Sequence, residues 1–421
     1  MSRPVKTLLE TPHALPVKEP SPLLPDSISV TLGVGSGPYQ KTLAMSLLQA
    51  GMLKRVMSSG LYLQMQDPTP DGTLRVVERF SLLGHANRVF WGIRRRLPRR
   101  LRPQPPVMLL TRLTDRLWSE RMPPCTIYHG WMGLSLACLQ KAKAQGTITL
   151  LENPARHPRD WHQAGVEECN RFGIAPRKSS ATLPAALIRR MEREFELCDR
   201  IVVPSTLSHR SFTESGLGHK TVVVNPAVDT ELFTPPPVAR ERPLFRACFV
   251  GRVELAKGAG YLLQAWKRLA LPNAELVLIG DVKPEMYSLL RTYAGSTVRT
   301  LGILDPKILP ERYRESDLFV FPSVNEGLAQ VLLEAMSSGL PVVASDYSGA
   351  DDLVTEGKDG FIVPVRDVDR LAEAILWCYQ HREETRAMGR AARAKMESQF
   401  TLEHYNQRQI ALYRSLAAAA S

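Results

Sequence analysis

Short runs of β-branched and aromatic residues alternate with helix-period segments along most of this chain. Ile28 to Leu32 reads as a strand, Leu43 to Gln49 as a helix, Thr126 to Tyr128 as a strand, Leu134 to Ala144 as a helix and Thr147 to Leu151 as a strand. A helix over Ala186 to Cys198 then feeds a strand at Arg200 to Val203, and Thr221 to Val224 runs as a strand into Asn225-Pro226. Pro235-Pro236-Pro237 interrupts the rhythm and marks a domain boundary. Beyond it the alternation restarts, with strands at Ala247 to Val250, Glu275 to Ile279, Val298 to Leu301, Leu318 to Phe321, Pro341 to Ser345 and Gly360 to Val363. Helices are expected at Tyr261 to Leu269, Glu285 to Tyr293, Leu309 to Glu315 and Ala329 to Ser338, and residues 367 to 420 read as mostly helical. Strands alternating with helices predict parallel sheets with crossover connections. The expected fold class is therefore α/β: two doubly wound domains facing a central cleft, where ligands of open α/β sheets collect.

A length of 421 residues supports two or three domains. No run of 18 or more apolar residues occurs, so no spanning helix is expected. Residues 1–27, with six prolines and no apolar h-region, read as a flexible tail and not as a secretion signal. The six scattered cysteines contain no C-x-x-C pair and suit a reducing cytoplasm. The net charge of +12 is unevenly placed, with seven arginines between Arg88 and Arg102 beside Phe90 and Trp91. Such a segment suits an anionic membrane surface, worth about 1 kcal/mol per cation, or another polyanion. A solvated basic loop is the alternative, and nucleic acid is not the expected partner.

Candidate chemistry concentrates at strand ends. Glu326-Gly-Leu-Ala-Gln-Val-Leu-Leu-Glu334 follows the strand Leu318 to Phe321 and stops at Gly339-Leu-Pro341. Eight residues of helix place the two carboxylates about 12 Å apart along the axis, the reach of a sugar nucleotide. Gly327 and Leu328 are expected at the helix N-terminus, where free amides and the dipole favour phosphate. Gly251-Arg252 and Lys257-Gly258 bring two cations to another strand end, suiting a diphosphate; an exposed basic turn is the plainer reading. Gly33-Val-Gly35-Ser-Gly37-Pro38 follows the first strand without the spacing of a dinucleotide or P-loop fingerprint. His129-Gly130-Trp131 and Glu152-Asn153-Pro154-Ala-Arg156-His157 end two further strands and are candidate substrate contacts, although a lone histidine is more often structural.

Taken in order, these motifs resemble glycosyltransferase family 4, the retaining glycosyltransferases of GT-B fold. The likeness is carried by Phe249-Val-Gly-Arg252 with Lys257-Gly258, Gly302-Ile-Leu, Phe319-Val-Phe-Pro-Ser323, Glu326 to Glu334 with Ala335-Met336, and Gly357-Lys-Asp-Gly360-Phe-Ile-Val-Pro364. Asp199-Arg-Ile-Val-Val-Pro-Ser205 and Asn225-Pro-Ala-Val-Asp229 extend it upstream. The resemblance implies an acceptor-side domain over 28–230, a nucleotide-sugar domain over 241–395, and a C-terminal helix over 396–421 crossing back to the first domain. It implies that Arg252 and Lys257 hold the diphosphate, that Glu326 contacts the transferred sugar and that Glu334 binds the ribose. Gly327 and Leu328 amides contact phosphate or sugar, Ile303 lies by the base, and Gly35 and Gly37 line the donor. His129, Asn153 and His157 fall on the acceptor side. No metal and no cofactor are expected, the cations supplying the electrostatic stabilisation.

Two departures stand out. Gly35-Ser-Gly37 replaces a Gly-Gly pair, and Glu152-Asn153 occupies a region where the family often has a histidine touching the donor sugar. Gly72 to Arg121 matches nothing in the family pattern. The expected function is retaining transfer of a hexose from a nucleoside diphosphate sugar to a glycan or lipid hydroxyl, in polysaccharide biosynthesis, in the cytoplasm or at the inner face of a membrane. A GT-B epimerase, a phosphorylase or a non-catalytic binding protein are the alternatives.

Overall fold

The computed structural model describes residues 28–34, 40–58, 77–79, 107–176, 179, 181–237 and 243–420. The expected tail (1–27), the Gly35 and Gly37 positions and the Arg88–Arg102 segment lie outside them.

The first sheet runs β1 (Val30–Val34), β2 (Leu53–Ser58), β3 (Val77–Arg79), β4 (Ile127–Trp131), β5 (Ile148–Glu152), β6 (Arg200–Val203) and β7 (Thr221–Val223). Its helices are α1 (Gln40–Gln49), α2 (Val107–Arg121), α3 (Leu136–Ala144), α4 (Pro158–Arg171), α5 (Ala185–Leu197) and α6 (Thr206–Glu214). All strand pairs are parallel, in the order β3-β2-β1-β4-β5-β6-β7. Parallel strands are covered on both faces, and the burial follows. Val30, Leu32, Leu43 and Leu47 form one core layer, while Trp118, Tyr128, Leu139, Phe195 and Phe212 form the other.

The second sheet comprises β8 (Phe245–Val250), β9 (Ala274–Ile279), β10 (Val298–Gly302), β11 (Leu318–Phe321), β12 (Val342–Ser345) and β13 (Gly360–Val363), again all parallel, in the order β10-β9-β8-β11-β12-β13. Its helices are α7 (Ala259–Leu269), α8 (Tyr287–Tyr293), α9 (Leu309–Arg314), α10 (Gln330–Ser337), α11 (Val368–Gln380) and α12 (Arg382–Gln399). Every residue of β9, β11 and β12 is buried, and all but Glu275 and Ser345 are apolar, as strands covered on both faces require. In both sheets the strand order reverses beside the first strand, between β1 and β4 and between β8 and β11. That reversal opens a crevice outside the carboxyl ends of the strands.

The chain recrosses between domains at Phe400-Thr401, where Val228 N–H donates to the Phe400 carbonyl at 2.9 Å. A division at residue 395 would cut α12, which continues to Gln399 on the second domain. The final helix, α13 (Leu402–Ala420), lies on the first domain: Tyr405, Tyr413 and Ala417 join the layer with Val30 and Leu43, and Asn406 Nδ2 donates to Ser46 Oγ at 2.8 Å. Among the described residues no helix is long and apolar enough to cross a membrane.

The sequence pattern missed β2, β3, α2, α4 and α6. In α4 the reason is visible: its buried positions include Glu168, which faces polar groups of the other domain, so no apolar stripe marks the helix.

Candidate active site

The loop leaving β8 carries Gly251-Arg252 and, through a single 3-10 turn at Leu255–Lys257, reaches Gly258. Gly258 is left-handed (φ 69°), and a Cβ there would stand 1.8 Å from the Pro322 carbonyl oxygen. Only glycine lets the β8 and β11 loops approach so closely. Ser323 Oγ and Val324 N–H tie the two loops by donating to the Ala256 carbonyl, each at 3.0 Å. This stitching brings Lys257 Nζ onto Glu326 Oε1 as a short ion pair, with both side chains largely buried. Arg252 stands beside them, half exposed, its guanidinium 2.9 Å from the fully buried Glu254 carboxylate. A buried acid with a partly free cation holds the guanidinium toward the crevice without neutralising its reach. Lys257 and Glu326 thus meet at the β8/β11 switch point, with Arg252 on the same loop after β8.

Glu326 and Glu334 do not stand on one helix. The helix starts only at Gln330, so Glu334 lies little more than one turn in, about 6 Å of rise. Glu326, Gly327 and Leu328 belong to a non-helical loop pinned by Glu326 N–H to the Tyr347 carbonyl (3.1 Å) and Ala329 N–H to the Ser348 carbonyl (3.0 Å). The amides of Gly327 and Leu328 have no protein acceptor among the described residues. Glu334 keeps part of its surface open, but its carboxyl lies deep. Burial pushes its pKa up to about 7, against the lowering effect of the Tyr313 hydroxyl, which donates at 2.9 Å. Ile303, just past β10, is 78 % exposed, a bare apolar side chain at a strand end.

The first-domain candidates are arranged differently. His129 is buried, with Nδ1 2.8 Å from the Tyr413 hydroxyl and Nε2 3.1 Å from Glu152 Oε2. Asn153 is fully buried and donates through Nδ2 to the Ala155 carbonyl, shaping its own loop. His157 belongs to the protein's framework and not to the cleft. Its Nδ1 caps α4 by accepting from Arg159 N–H at 3.4 Å, its ring packs between Phe195 and Phe212, and burial lowers its pKa. A histidine so enclosed has no face left for an acceptor.

Several seam contacts between the domains escaped sequence reasoning. Ser205 Oγ donates to the Gly327 carbonyl at 2.5 Å, and a Cβ on Gly327 would stand 2.3 Å from the Pro154 carbonyl oxygen. Asp352 accepts from Thr206 N–H (2.6 Å) and Oγ1 (2.8 Å), capping α6 from the opposite domain. Glu168 accepts from Arg366 Nε (2.6 Å) and the Tyr261 hydroxyl (2.8 Å). The hydrogen-bonded pairs are 93 to 198 positions apart, and no local pattern signals them.

Residues 237–395, which hold the whole second sheet and its helices up to the last turn of α12, match the family described as Glycosyl transferases group 1. A sulfoquinovosyl transferase of Arabidopsis thaliana is 31 % identical over 228 residues, 50 % of this chain and 43 % of that protein. A GDP-mannose-dependent alpha-(1-6)-phosphatidylinositol monomannoside mannosyltransferase of Mycobacterium tuberculosis is 32 % identical over 199 residues, 42 % and 51 % of the two chains. The chain spans about half the length of the curated relatives it matches. Among solved structures, sucrose-phosphate synthase of Thermosynechococcus elongatus superimposes with a TM-score of 0.66 at 19 % identity, over 93 % of this chain and all of that one. HepE of Anabaena, solved with UDP, gives 0.61 at 17 % identity over 92 % and 100 %. These likenesses show the fold, which is GT-B. The second domain is thus similar to the glycosyl transferases group 1 family over residues 237–395.

Proposed function

We propose that this protein is a glycosyltransferase that moves a hexose from a nucleoside diphosphate sugar to a hydroxyl acceptor, with retention of configuration and without a metal. The observation that carries the reading is the Lys257–Glu326 pair beside Arg252 at the second-domain switch point. A diphosphate placed there meets two cations and the unpaired amides of Gly327 and Leu328. Relatives named as transferases of sugars, and a structural neighbour holding UDP-glucose, support the same class of donor.

In the reaction the bond from the anomeric carbon to the phosphate oxygen breaks, and its electron pair leaves on the nucleoside diphosphate. Arg252 and Lys257 stabilise that developing charge. The acceptor oxygen forms the new bond from the face the diphosphate leaves, and its proton passes to the departing phosphate oxygen. Glu326, released from Lys257 as the diphosphate takes the ammonium, accepts hydrogen bonds from hydroxyls of the transferred sugar. Glu334 accepts from the ribose, and the exposed Ile303 side chain packs on the base.

Thermal-shift and turnover assays with UDP-, GDP- and ADP-sugars test the reading. A ligand at about 100 times its dissociation constant adds roughly 2.7 kcal/mol to stability. If no nucleotide sugar stabilises the protein or is turned over, the proposal fails.

A further inference from the structure

The second sheet has a cavity on its flank, apart from the crevice. α9 spans only six residues, about 9 Å of rise, whereas the six residues of β9 extend over about 20 Å. The helix is too short to cover the β8–β10 face beside it, and a cavity of about 300 Å³ opens there. That volume is at the lower end of the range for small-ligand pockets and holds about ten water-sized groups.

The period-two alternation of the strands decides what faces this space. Val277 and Ile279 of β9 and Leu301 of β10 form an aliphatic floor, continued by Leu304 just past the strand. Toward the amino ends of the same strands the same faces turn charged, with Glu275 two positions before Val277 and Arg299 two before Leu301. There an alternating ladder runs from strand to helix. Arg299 Nη1 lies 3.5 Å from Glu275 Oε2, and Glu275 Oε1 accepts from Arg246 Nε in a short bond. Arg246 Nη1 lies 3.5 Å from Glu315 Oε2, which accepts from Arg312 Nη1 at 2.6 Å. Three guanidiniums share two carboxylates, so the ladder carries one positive charge in excess. The next acid, Asp317, is matched by Arg382 at 3.2 Å. The excess falls to the two ends of the ladder. Arg299 and Arg312 each have a single carboxylate partner among the described residues, against five N–H donors per guanidinium.

We propose that this cavity is a second ligand site, which takes a small amphipathic anion with its carboxylate or phosphate head on the ladder and its aliphatic body over the floor. Both heads match the planar fork of an arginine. A cation meets the excess charge, a neutral apolar molecule leaves the ladder ends unused, and a bare anion gains nothing from the floor. The head lies toward the amino ends of the strands, whereas the nucleotide crevice lies outside their carboxyl ends. The two sites are therefore separate, and the inference does not depend on the reading of the crevice.

Isothermal titration calorimetry on the full chain tests this with octanoate and octyl phosphate as probes. At least one should bind with one-to-one stoichiometry, and the tighter of the two identifies the head. Octylamine, octanol and inorganic phosphate should each bind at least tenfold more weakly. Arg299→Met, at an exposed position, and Leu304→Asp, at the far end of the floor, should each weaken the tighter probe at least fivefold while unfolding in urea as the wild type does. Saturating UDP should leave the probe's affinity unchanged. No binding of either probe, octylamine binding as tightly as octanoate, or full affinity in either variant overturns the site. Displacement of the probe by UDP would put it in the nucleotide crevice and overturns the proposal equally. Failure of UDP itself to bind would strike only the donor reading for uridine nucleotides, since the octanoate titrations stand without it.

Discussion

The Ser205 hydroxyl of the first domain donates to the Gly327 carbonyl of the second at 2.5 Å, one residue from Glu326. The seam between the domains thus bears directly on the loop that holds Glu326. Gly327 has no room for a side chain, since a Cβ would stand 2.3 Å from the Pro154 oxygen, a rigid backbone atom. Gly327→Ala is expected to part the seam while leaving both sheets intact. Small-angle scattering should show a larger radius of gyration, transfer should fall at least tenfold, and urea denaturation should move by no more than about 1–3 kcal/mol. A variant as compact and active as the wild type would refute this.

Lys257 is the cation held closest to Glu326. Lys257→Met keeps the stem and removes the charge that faces the departing diphosphate. Loss of one such electrostatic contact costs about 100- to 1,000-fold in turnover in other enzymes, and a drop of that order in kcat is expected. Arg252→Met, from a half-exposed position, should cost less. Because Glu326 is left without its partner, Glu326→Gln combined with Lys257→Met should add less than the two single losses together. Strict additivity in a double-mutant cycle would count against the pair acting as a unit.

Much of this arrangement was legible in the chain. The largely apolar runs of β9, β11 and β12 mark central parallel strands, and the cations and carboxylates after β8 and β11 fall where such sheets bind ligands. What failed was geometry that depends on where a helix begins. Pattern alone started the helix at Ala329 and ran a helical measure back to Glu326, whereas residues 322–329 form a non-helical loop pinned by Tyr347 and Ser348 carbonyls that come from another loop. His157 misled for a related reason. Its residue type suggested chemistry, but its place before Pro158 made it a helix cap, a signal available in His157-Pro158 itself. The His129–Tyr413 contact spans 284 positions and could not be read from either neighbourhood.

Glu334 gives a pH dependence with a definite sign. Its carboxyl titrates at about 7 in the folded protein against an ordinary 4.5. Between those values the folded state binds the extra proton, so stability falls as pH rises from about 4.5 through 7. Glu334→Gln removes that slope: it should be more stable than wild type at pH 8, with the gap closing toward pH 4.5, as urea midpoints would show. Ribose hydroxyls bonded to the carboxylate favour its charged form. Affinity for a nucleotide sugar, whose diphosphate diester does not titrate near 7, should therefore rise as pH increases from about 6 to 8. Calorimetry on Glu334→Gln should find affinity flat over that range, and an unchanged slope would remove Glu334 from the ribose site.

Arg366 and Glu168 make an asymmetric clasp across the seam. Glu168 is fully buried in α4, while Arg366 is one-fifth exposed and sits at a left-handed φ of 69°. Removing the arginine strands a buried carboxylate that Tyr261 alone cannot satisfy, a loss of about 3–5 kcal/mol for such pairs. Removing the acid is milder, because the guanidinium can turn to water and to Glu167, already 3.0 Å from Nη2. Arg366→Ala should therefore destabilise more than Glu168→Gln in urea unfolding. Arg366→Gly separates charge from backbone: it loses the same guanidinium but relieves the left-handed strain, by about 1 kcal/mol, and should be the more stable of the two Arg366 variants. Should alanine and glycine prove equal, strain at Arg366 contributes nothing; should Glu168→Gln prove the worst of the three, the carboxylate and not the guanidinium carries the clasp.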